Sequence, residues 1–319
     1  MRLLRDNKNS CLFFLNGSAV TIGNFDGVHL GHQALLKKFC IESEKMKLPT
    51  VVLIFEPQSN EYFKNSNKEF YRLTNLREKL CLLKNFNINY VLCLRFNKYL
   101  ACMSAIQFLR IYFFSFLNVK YLLVGKDFKF GYKRIGDINL LKNNSKNGKI
   151  IIQIFPEFLK FNKRISSTYI RRLLYNGKFK EASKFLGRYY SILGKVVKGS
   201  GDVKITGIPT ANLSVKGLNL IPIRGVFIVR AEREKGNWLI GVANFGKNPT
   251  FNRKQIKLEI YFLNFNDNLY NEKLRIFFIK KIRDEVRFLS IRDLTIQIYH
   301  DIKNIKFNFG VDYIYDKKI

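Results

Sequence analysis

GNFDGVHLGHQ, residues 23–33, is the stretch that decides the fold. It ends the short apolar run SAVTIGNF (residues 18–25) and leads into HQALLKKFCIESEKMK (residues 32–47). In the second segment apolar residues recur at helical spacing, at Leu35, Leu36, Phe39 and Cys40. A strand that passes through a glycine-containing turn into an amphipathic helix predicts the first β–α unit of a parallel sheet.

The same alternation of strand-like and helix-like segments continues through the first half of the chain. The strand-like runs are TVVLIF (50–55), YVLCLRF (90–96), YLLVG (121–125) and IIQIFP (151–156). Between them lie LTNLREKLCLLKNF (73–86), with leucines along one helical face, and a helix that begins after Ser104. This alternation predicts an α/β domain, in which a parallel sheet carries helices on both faces.

The second half of the chain has a different pattern. Two short helical stretches end at Gly177 and Gly187, and the chain from Ser290 onward is again helical in pattern. The segments between them are short, β-rich and separated by turn residues: SILGKVVKG, GVFIVRAE, NWLIGVANFG, QIKLEIYFLNF and KLRIFFIKKI. They predict an antiparallel barrel or sandwich, and they divide the chain into a domain at 1–187 and a domain at 188–319.

The composition predicts a soluble cytoplasmic protein with a strongly basic surface. The 56 Lys and Arg against 24 Asp and Glu give a formal net charge of +32. This charge would attract nucleic acid or phosphate-bearing ligands, but the basic residues are spread along the chain, as a compositional bias would spread them. We find no signal peptide and no apolar run long enough to span a membrane. The five cysteines have no metal-ligand spacing and indicate a reducing compartment.

His29, Gly31 and His32 lie where the first strand leads into the first helix. Ligands of open α/β sheets bind at the carboxyl ends of the strands, and a helix N-terminus offers free N–H groups to phosphate. Two imidazoles at this point can donate hydrogen bonds to phosphate oxygens, while Gly31 leaves space for a base or sugar. The alternative is a pair of ordinary polar residues in a surface turn, and the four-residue pattern alone does not decide between the two.

A second polar motif, ISSTYIR at residues 165–171, opens a predicted helix. It places the hydroxyls of Ser166, Ser167 and Thr168 at the start of that helix and Arg171 within its first turns. The structural explanation is a well-capped helix. The functional explanation is a clamp for the outgoing phosphates of a nucleotide.

Together these motifs resemble the bifunctional riboflavin kinase/FAD synthetases of bacteria. HLGH and ISSTYIR occur in that family's order, with GKDFKFG (125–131), Arg134 and Gly136-Asp137 between them, and FEP (55–57) and RLTNLREKLCLL (72–83) match as well. The resemblance covers nearly the whole chain. It implies a Rossmann-like nucleotidyltransferase domain that transfers AMP from ATP to FMN, followed by a β-barrel riboflavin kinase domain with a C-terminal helix.

The resemblance also implies roles for residues of the first domain. His29 and His32 would be the catalytic residues at the α-phosphate, because charge builds there and on the leaving pyrophosphate. The other residues implied to bind ATP and its phosphates are Gly23, Phe25, Gly31, Ser166, Ser167, Thr168 and Arg171. The residues implied to contact the flavin or the nucleotide are Asp127, Phe128 and Arg134.

GIPTAN, residues 207–212, is the matching motif of the second domain. Thr210 and Asn212 lie two positions apart and could offer neutral oxygen ligands to Mg²⁺, but from the residues alone a proline-containing turn is the simpler explanation. Because PTAN is the hallmark of the riboflavin kinase module, the resemblance instead implies a site for ATP and Mg²⁺. That site would comprise Gly207, Pro209, Thr210 and Asn212, with Thr210 and Asn212 as the metal ligands.

Glu259, in the strand QIKLEIYFLNF, matches the family's general base. In the resembled kinases this carboxylate takes the proton of the terminal ribityl hydroxyl while the γ-phosphate of ATP is transferred. An outward-facing surface side chain is the alternative, because the strand pattern permits it.

The departures from the family lie mainly in the second domain. Ile208 stands where the family has phenylalanine and Lys204 where arginine is usual, while in the first domain Gln58 replaces the histidine after FEP. None of these removes a residue assigned to chemistry. The main interpretation is therefore an enzyme that makes FMN from riboflavin and FAD from FMN, with Mg²⁺ and with riboflavin, FMN and ATP as its small-molecule partners. The alternatives are an adenylyltransferase with an inactive kinase domain and a basic nucleic-acid-binding protein on a relic enzyme fold.

Overall fold

The computed structural model describes residues 1–5, 14–63, 71–145, 150–199, 207–215, 217–247, 250 and 255–308, and in these ranges every side chain except those of residues 219 and 304–308. The chain divides into two compact units. The first comprises Met1–Phe70 and Leu76–Ser166, and the second comprises Tyr71–Asn75 and Ser167–Ile319. The predicted domain boundary after residue 187 falls where helices give way to strands, and it stays a prediction.

The first unit is built on a six-stranded sheet. Its strands are β1 (Arg2–Arg5), β2 (Ser18–Ile22), β3 (Thr50–Glu56), β4 (Tyr90–Arg95), β5 (Val119–Gly125) and β6 (Ile151–Phe155), in the spatial order β1-β4-β3-β2-β5-β6. All neighbouring strands are parallel. β2 is buried along its whole length, as a central strand with helices on both faces must be. The predicted parallel α/β sheet is confirmed.

Helices cover both faces of this sheet. They are α1 (Leu30–Lys45), α2 (Ser59–Tyr62), α3 (Leu76–Leu83), α4 (Lys98–Cys102), α5 (Ala105–Phe108) with its π-helical continuation Leu109–Phe116, and α6 (Ile138–Asn144). On one face Leu36 and Phe39 of α1 join Leu83 of α3 in a core with strand residues. On the other face Phe108 and Phe113 pack into a second core. A short antiparallel hairpin follows, formed by β7 (Leu159–Lys160) and β8 (Lys163–Arg164).

The second unit is a closed antiparallel barrel preceded by two helices. These are α7 (Ser167–Tyr175), α8 (Phe179–Leu186), β9 (Ser191–Val197), β10 (Ala211–Ser214), β11 (Gly225–Arg233), β12 (Trp238–Gly246), β13 (Lys257–Phe262) and β14 (Lys273–Arg283). The strand order is β10-β13-β12-β11-β14-β9. Phe179 of α8 meets Phe227 edge-on and stacks on Phe278, which attaches this helix to the barrel. The structure thus decides for the barrel over the sandwich.

The end of the chain forms the C-terminal helix α9 (Ile291–Asn308), as predicted. Ile302 lies in an apolar cluster with Val226 and Val242 of the barrel strands. Next to it the Nε of Arg283 donates to the carboxylate of Asp301 at 3.0 Å, and this carboxylate is only 2% exposed. No helix in the described part of the chain is both long and apolar enough to cross a membrane.

Candidate active sites

The stretch at residues 23–33 is a tight turn at the carboxyl end of β2. Phe25, Gly27 and Val28 have positive φ values of 44°, 78° and 40°. A positive φ is unfavourable for residues other than glycine and persists where packing fixes it. Phe25 and Val28 are 2% and 1% exposed, so this packing is present. The turn therefore holds His29 firmly at the start of α1.

His29 caps α1 with its own ring. The backbone N–H of His32 donates a hydrogen bond to Nδ1 of His29 at 3.3 Å. A ring nitrogen that accepts a hydrogen bond carries no proton, so the proton of the neutral imidazole is on Nε2. The cap explains why α1 begins at Leu30, in the short stretch where the first strand was predicted to lead into the first helix. The cap thereby fixes the orientation of the His29 ring at the start of α1.

The two imidazoles lie face to face. Their ring centroids are 3.6 Å apart and their planes differ by 13°. Burial lowers the pKa of His32 well below its usual value, and the nearby charges of His29 and Lys79 lower it further. Two unit charges at about 4 Å repel by roughly 4 kcal/mol at the dielectric constant of proteins near their surface. His32 is therefore neutral at physiological pH.

The two predicted glycines of this turn are each packed against a ring. A Cβ at Gly31 would lie 3.3 Å from Nδ1 of His29 and 3.7 Å from Cβ of Phe158, and a Cβ at Gly23 would lie 3.3 Å from the ring of Phe25. Contacts of 3.3 Å are tighter than ordinary van der Waals distances. Glycine at these positions thus allows the rings to lie where they do, while the predicted space for a base or sugar stays a prediction.

Buried polar atoms at this edge of the sheet lack partners. Within the described residues, Oγ1 of Thr21, Nε2 of Gln58 and Nδ1 of His32 have no hydrogen-bond partner. Buried polar groups are normally satisfied, so such atoms mark places where a ligand or water completes the bonding. Sequence reasoning missed Thr21, although a hydroxyl near the carboxyl end of an otherwise apolar strand was a usable signal. It noted Gln58 only as a departure from the family.

Asp127 lies in the loop after β5 and forms an ion pair with Arg164 of β8. Nη1 of Arg164 also lies 3.3 Å from Oε1 of Glu157. The hydrogen bond and the charge of Arg164 hold the pKa of Asp127 below its usual value, and Lys126 and Arg134 act in the same direction. Asp127 is therefore ionised. Sequence reasoning missed Arg164, because no local pattern shows that this hairpin faces the loop after β5.

The other residues of this loop are placed by close packing. Phe128 stacks on Phe130, with ring centroids 5.3 Å apart. A Cβ at Gly131 would lie 2.6 Å from the backbone of Ala105, and its φ of 74° also requires glycine. Phe128 is half-buried and Arg134 is exposed, so both predicted contact residues are accessible to a ligand.

The ISSTYIR motif lies at the start of α7, as predicted. The helix begins at Ser167 and buries Ile170, Leu173 and Leu174. Thr168 is exposed, whereas Ser166, Ser167 and Arg171 are half-buried. The hydroxyls therefore lie where the first N–H groups of a helix have no partner within the helix. Phosphate binding by these residues stays a prediction.

In the barrel, Glu259 lies between two asparagines on neighbouring strands. It is directly opposite Asn212 of β10 on one side and Asn244 of β12 on the other. Opposite residues of antiparallel strands point to the same face of the sheet, so the three polar side chains form a row. Leu258 and Ile260 are buried on the other face. Sequence reasoning missed Asn244, because its place in the row depends on the strand register.

The PTAN motif leads into β10. Gly207 has a φ of 69°, which favours glycine there, and Ile208 is 4% exposed. Thr210 immediately precedes β10, whose first two residues are Ala211 and Asn212. The motif therefore places Thr210 two residues before Asn212, the member of the row that lies on β10. Lys204, a predicted departure from the family, lies outside the described residues.

The segment after β12 is hydrogen-bonded to the segment after β14. The backbone N–H of Lys247 donates to Oε2 of Glu285 at 3.1 Å, and the backbone N–H of Phe288 donates to Oγ1 of Thr250 at 3.2 Å. A Cβ at Gly246 would collide with the carboxylate of Glu285. Glycine at position 246, the last residue of β12, thus allows the segment after β14 to approach β12 closely.

The chain is similar to two protein families, one for each half. The sequence model of the FAD synthetase family matches residues 14–169, and that of the riboflavin kinase family matches residues 186–309. The turn at residues 23–33, here called the histidine turn, lies inside the first match. The row formed by Asn212, Glu259 and Asn244 lies inside the second.

Similarity to single proteins extends over the full length. The bifunctional riboflavin kinase/FMN adenylyltransferase of Haemophilus influenzae is 38% identical over 97% of this chain and 100% of its own. The enzyme of the same name from Escherichia coli K12 is also 38% identical, over 98% of this chain and 99% of its own. A crystal structure described as a macrolide-efflux protein from Streptococcus pneumoniae superposes with a TM-score of 0.78 at 28% identity, covering 96% of this chain and 99% of that one.

Proposed function

Since this chain belongs to the family of bifunctional riboflavin kinases/FMN adenylyltransferases, we propose that the histidine turn and the row at Glu259 are its two catalytic sites. The chain phosphorylates riboflavin to FMN and adenylylates FMN to FAD, and ATP is the co-substrate of both reactions. The kinase-inactive alternative has no support, because both families match. The cap that fixes the proton of His29 on Nε2 is the observation that best supports the first assignment.

In adenylyl transfer, a phosphate oxygen of FMN attacks the α-phosphorus of ATP. The bond from that phosphorus to the bridging oxygen breaks, and pyrophosphate leaves. Negative charge grows on the non-bridging oxygens of the α-phosphate, and the Nε2–H of His29, with His32 beside it, donates hydrogen bonds to them. Both rings are already held in place, His29 by the cap and the two together by stacking, so little reorganisation is needed as the charge develops.

The leaving pyrophosphate needs its own donors. We assign it to the hydroxyls of Ser166, Ser167 and Thr168 and to the guanidinium of Arg171, on the basis of the family resemblance and of their position at the start of α7. Asp127 and Phe128, in the accessible loop after β5, contact the flavin or the nucleotide, and Arg134 lies beside them.

In the kinase reaction, Glu259 accepts the proton of the terminal ribityl hydroxyl. The hydroxyl oxygen then bonds to the γ-phosphorus of ATP, the bond to the β–γ bridging oxygen breaks, and ADP leaves. Support for this role comes from the register that places Asn212 and Asn244 on either side of Glu259. The two amides offer hydrogen bonds that orient the carboxylate or the hydroxyl.

The residues at PTAN fit a magnesium site. The hydroxyl of Thr210 and the side-chain oxygen of Asn212 are hard oxygen donors, and they lie beside a carboxylate in the row. In the described part of the chain, no group of three or more His, Cys, Asp or Glu could hold a metal ion. Thr210 and Asn212 would hold Mg²⁺ together with the phosphates of ATP. When bound, Mg²⁺ supplies neutralisation of the charge on those phosphates.

The purified chain is expected to convert riboflavin first to FMN and then to FAD when ATP and Mg²⁺ are present. The flavins are resolved by chromatography over time, with and without excess chelator. We expect both products with Mg²⁺ and neither with chelator, because both reactions need the phosphate charge to be neutralised. If FAD formed only from supplied FMN, the chain would be an adenylyltransferase without kinase activity. The absence of both products would overturn the enzyme interpretation.

A further inference from the structure

Two segments of the first unit carry a strong excess of positive charge. They are the loop after β5, residues 126–134, and residues 157–164, which include the hairpin of β7 and β8. Together they contain seven Lys and Arg and two acids, which gives a net charge of +5 in 17 residues. All of these cations are exposed except Lys160, which is half-buried. The positive charge therefore faces solvent.

Both segments lie beside the histidine turn. β5 is a neighbour of β2 in the sheet, so the loop after β5 begins at the same edge as the turn after β2. In the second segment, Cβ of Phe158 lies 3.7 Å from the position of a Cβ at Gly31 of the turn. The ion pair of Asp127 with Arg164 joins the two segments to each other. They thus form a continuous border, here called the basic collar, beside the proposed adenylyl-transfer site.

The two acids of the basic collar are both held by one cation. Arg164 pairs with Asp127, and its Nη1 lies 3.3 Å from Oε1 of Glu157. The charges of Lys126 and Arg134 also help to lower the pKa of Asp127, so cations of the loop act on the acid at the centre of the collar. The acids offset only two of the seven positive charges, and the collar as a whole attracts anions.

We propose that the basic collar attracts the phosphate of FMN to the transferase site and so makes this site select FMN over riboflavin. The inference rests on the proposed function of the histidine turn. A phosphate monoester carries a charge of about −1.5 to −2 at pH 7, whereas riboflavin has no phosphate. A cleft bordered by charge of one sign raises the local concentration of an oppositely charged ligand and its rate of association. The lysines of the collar act at a distance and take no part in the chemistry.

The dependence on salt measures this attraction. The Debye length is about 30 Å at 0.01 M ionic strength and about 3 Å at 1 M, so salt screens a border of exposed charges. With MgATP saturating, we expect kcat/KM for FMN in FAD formation to fall by roughly tenfold between about 0.02 M and about 0.5 M ionic strength. We expect kcat/KM for riboflavin in FMN formation to change by less than about twofold, because riboflavin has no phosphate for the collar to attract.

The triple variant Lys126→Gln, Lys129→Gln, Lys163→Gln removes three charges of the basic collar. At low salt we expect its KM for FMN to rise by about fivefold while kcat changes by less than about twofold, and we expect a weaker dependence on salt than in the wild type. The variant Lys126→Arg, Lys129→Arg, Lys163→Arg keeps the charge, so it is expected to keep the wild-type KM and salt dependence. Riboflavin kinase activity, measured beside each rate, shows that the variants are folded.

The matched control is Lys45→Gln, Lys47→Gln, Lys84→Gln. These three lysines are exposed at the opposite edge of the sheet, where the chain leads into β3 and β4, so the control lowers the total charge equally and leaves the basic collar intact. It is expected to keep the wild-type KM for FMN. An equal rise of KM in this control would overturn the inference, as would an unchanged KM in the glutamine variant of the collar or a raised KM in its arginine variant. A kcat/KM for FMN that does not depend on salt in the wild type would overturn it as well. Failure of the proposed function looks different, because the wild type would then form no FAD from FMN at any salt concentration.

Discussion

His32→Ala makes FMN from riboflavin but stops there. We expect FAD formation to fall by at least about 100-fold, the usual effect of removing one donor that stabilises developing charge. Removal of the ring takes away one partner of the stacked pair whose centroids are 3.6 Å apart, while the backbone N–H that His29 accepts from is retained. The helix cap therefore survives, and the loss is one of chemistry. The measurement is the initial rate of FAD formation from supplied FMN, beside the rate of FMN formation from riboflavin.

His300→Ala is the matched control for this variant, because His300 is an exposed histidine on the C-terminal helix. It is expected to keep both rates within about twofold of the wild type, as surface substitutions usually do. An equal loss of both activities in His32→Ala would indicate misfolding. A His32→Ala variant that forms FAD at the wild-type rate would contradict the assignment of the histidine pair.

Glu259→Gln blocks the other reaction. We expect FMN formation to fall by roughly 1,000-fold, within the range that general-base catalysis contributes. Glutamine keeps the shape of the side chain and its place in the row between Asn212 and Asn244, but it does not accept the hydroxyl proton. FAD formation from supplied FMN stays unchanged. The two rates are measured as for the histidine variant.

Glu234→Gln is the control for the kinase variant. Glu234 is an exposed glutamate paired with Lys273 at 3.1 Å, and such surface pairs contribute little to stability. We expect it to keep both activities. If Glu259→Gln kept its kinase activity, Glu259 would not be the general base. It would instead be the outward-facing surface residue that the strand pattern also permits.

Much of the fold follows from local pattern. The apolar runs at 50–55 and 121–125 became β3 and β5 of a parallel sheet, because continuous apolar runs are what strands covered on both faces require. The short alternating strands of the second half became the antiparallel barrel, and the pattern after Ser290 became α9. The junction of β2 and α1 was predicted at His29 to His32, but the exact first residue of α1 was not. A helix capped by a histidine ring has no signature among the usual capping residues.

The sites were predictable only where neighbours in sequence are neighbours in space. The pairing of His29 with His32 follows from their spacing at a helix start, and the structure brings the rings together. The row of Asn212, Glu259 and Asn244 depends on the register of three strands, which no single segment encodes. The ion pair of Asp127 with Arg164 joins a loop to a distant hairpin, and its prediction would have required the tertiary fold.

The most direct test of two independent catalytic sites in one chain is to mix the two variants. His32→Ala and Glu259→Gln are combined in equal amounts with riboflavin, ATP and Mg²⁺, and the flavins are followed by chromatography. Neither variant alone forms FAD from riboflavin in this account. The mixture does, after a lag in which FMN accumulates, because one variant makes the FMN that the other adenylylates. A mixture that forms no more FAD than either variant alone would contradict the account.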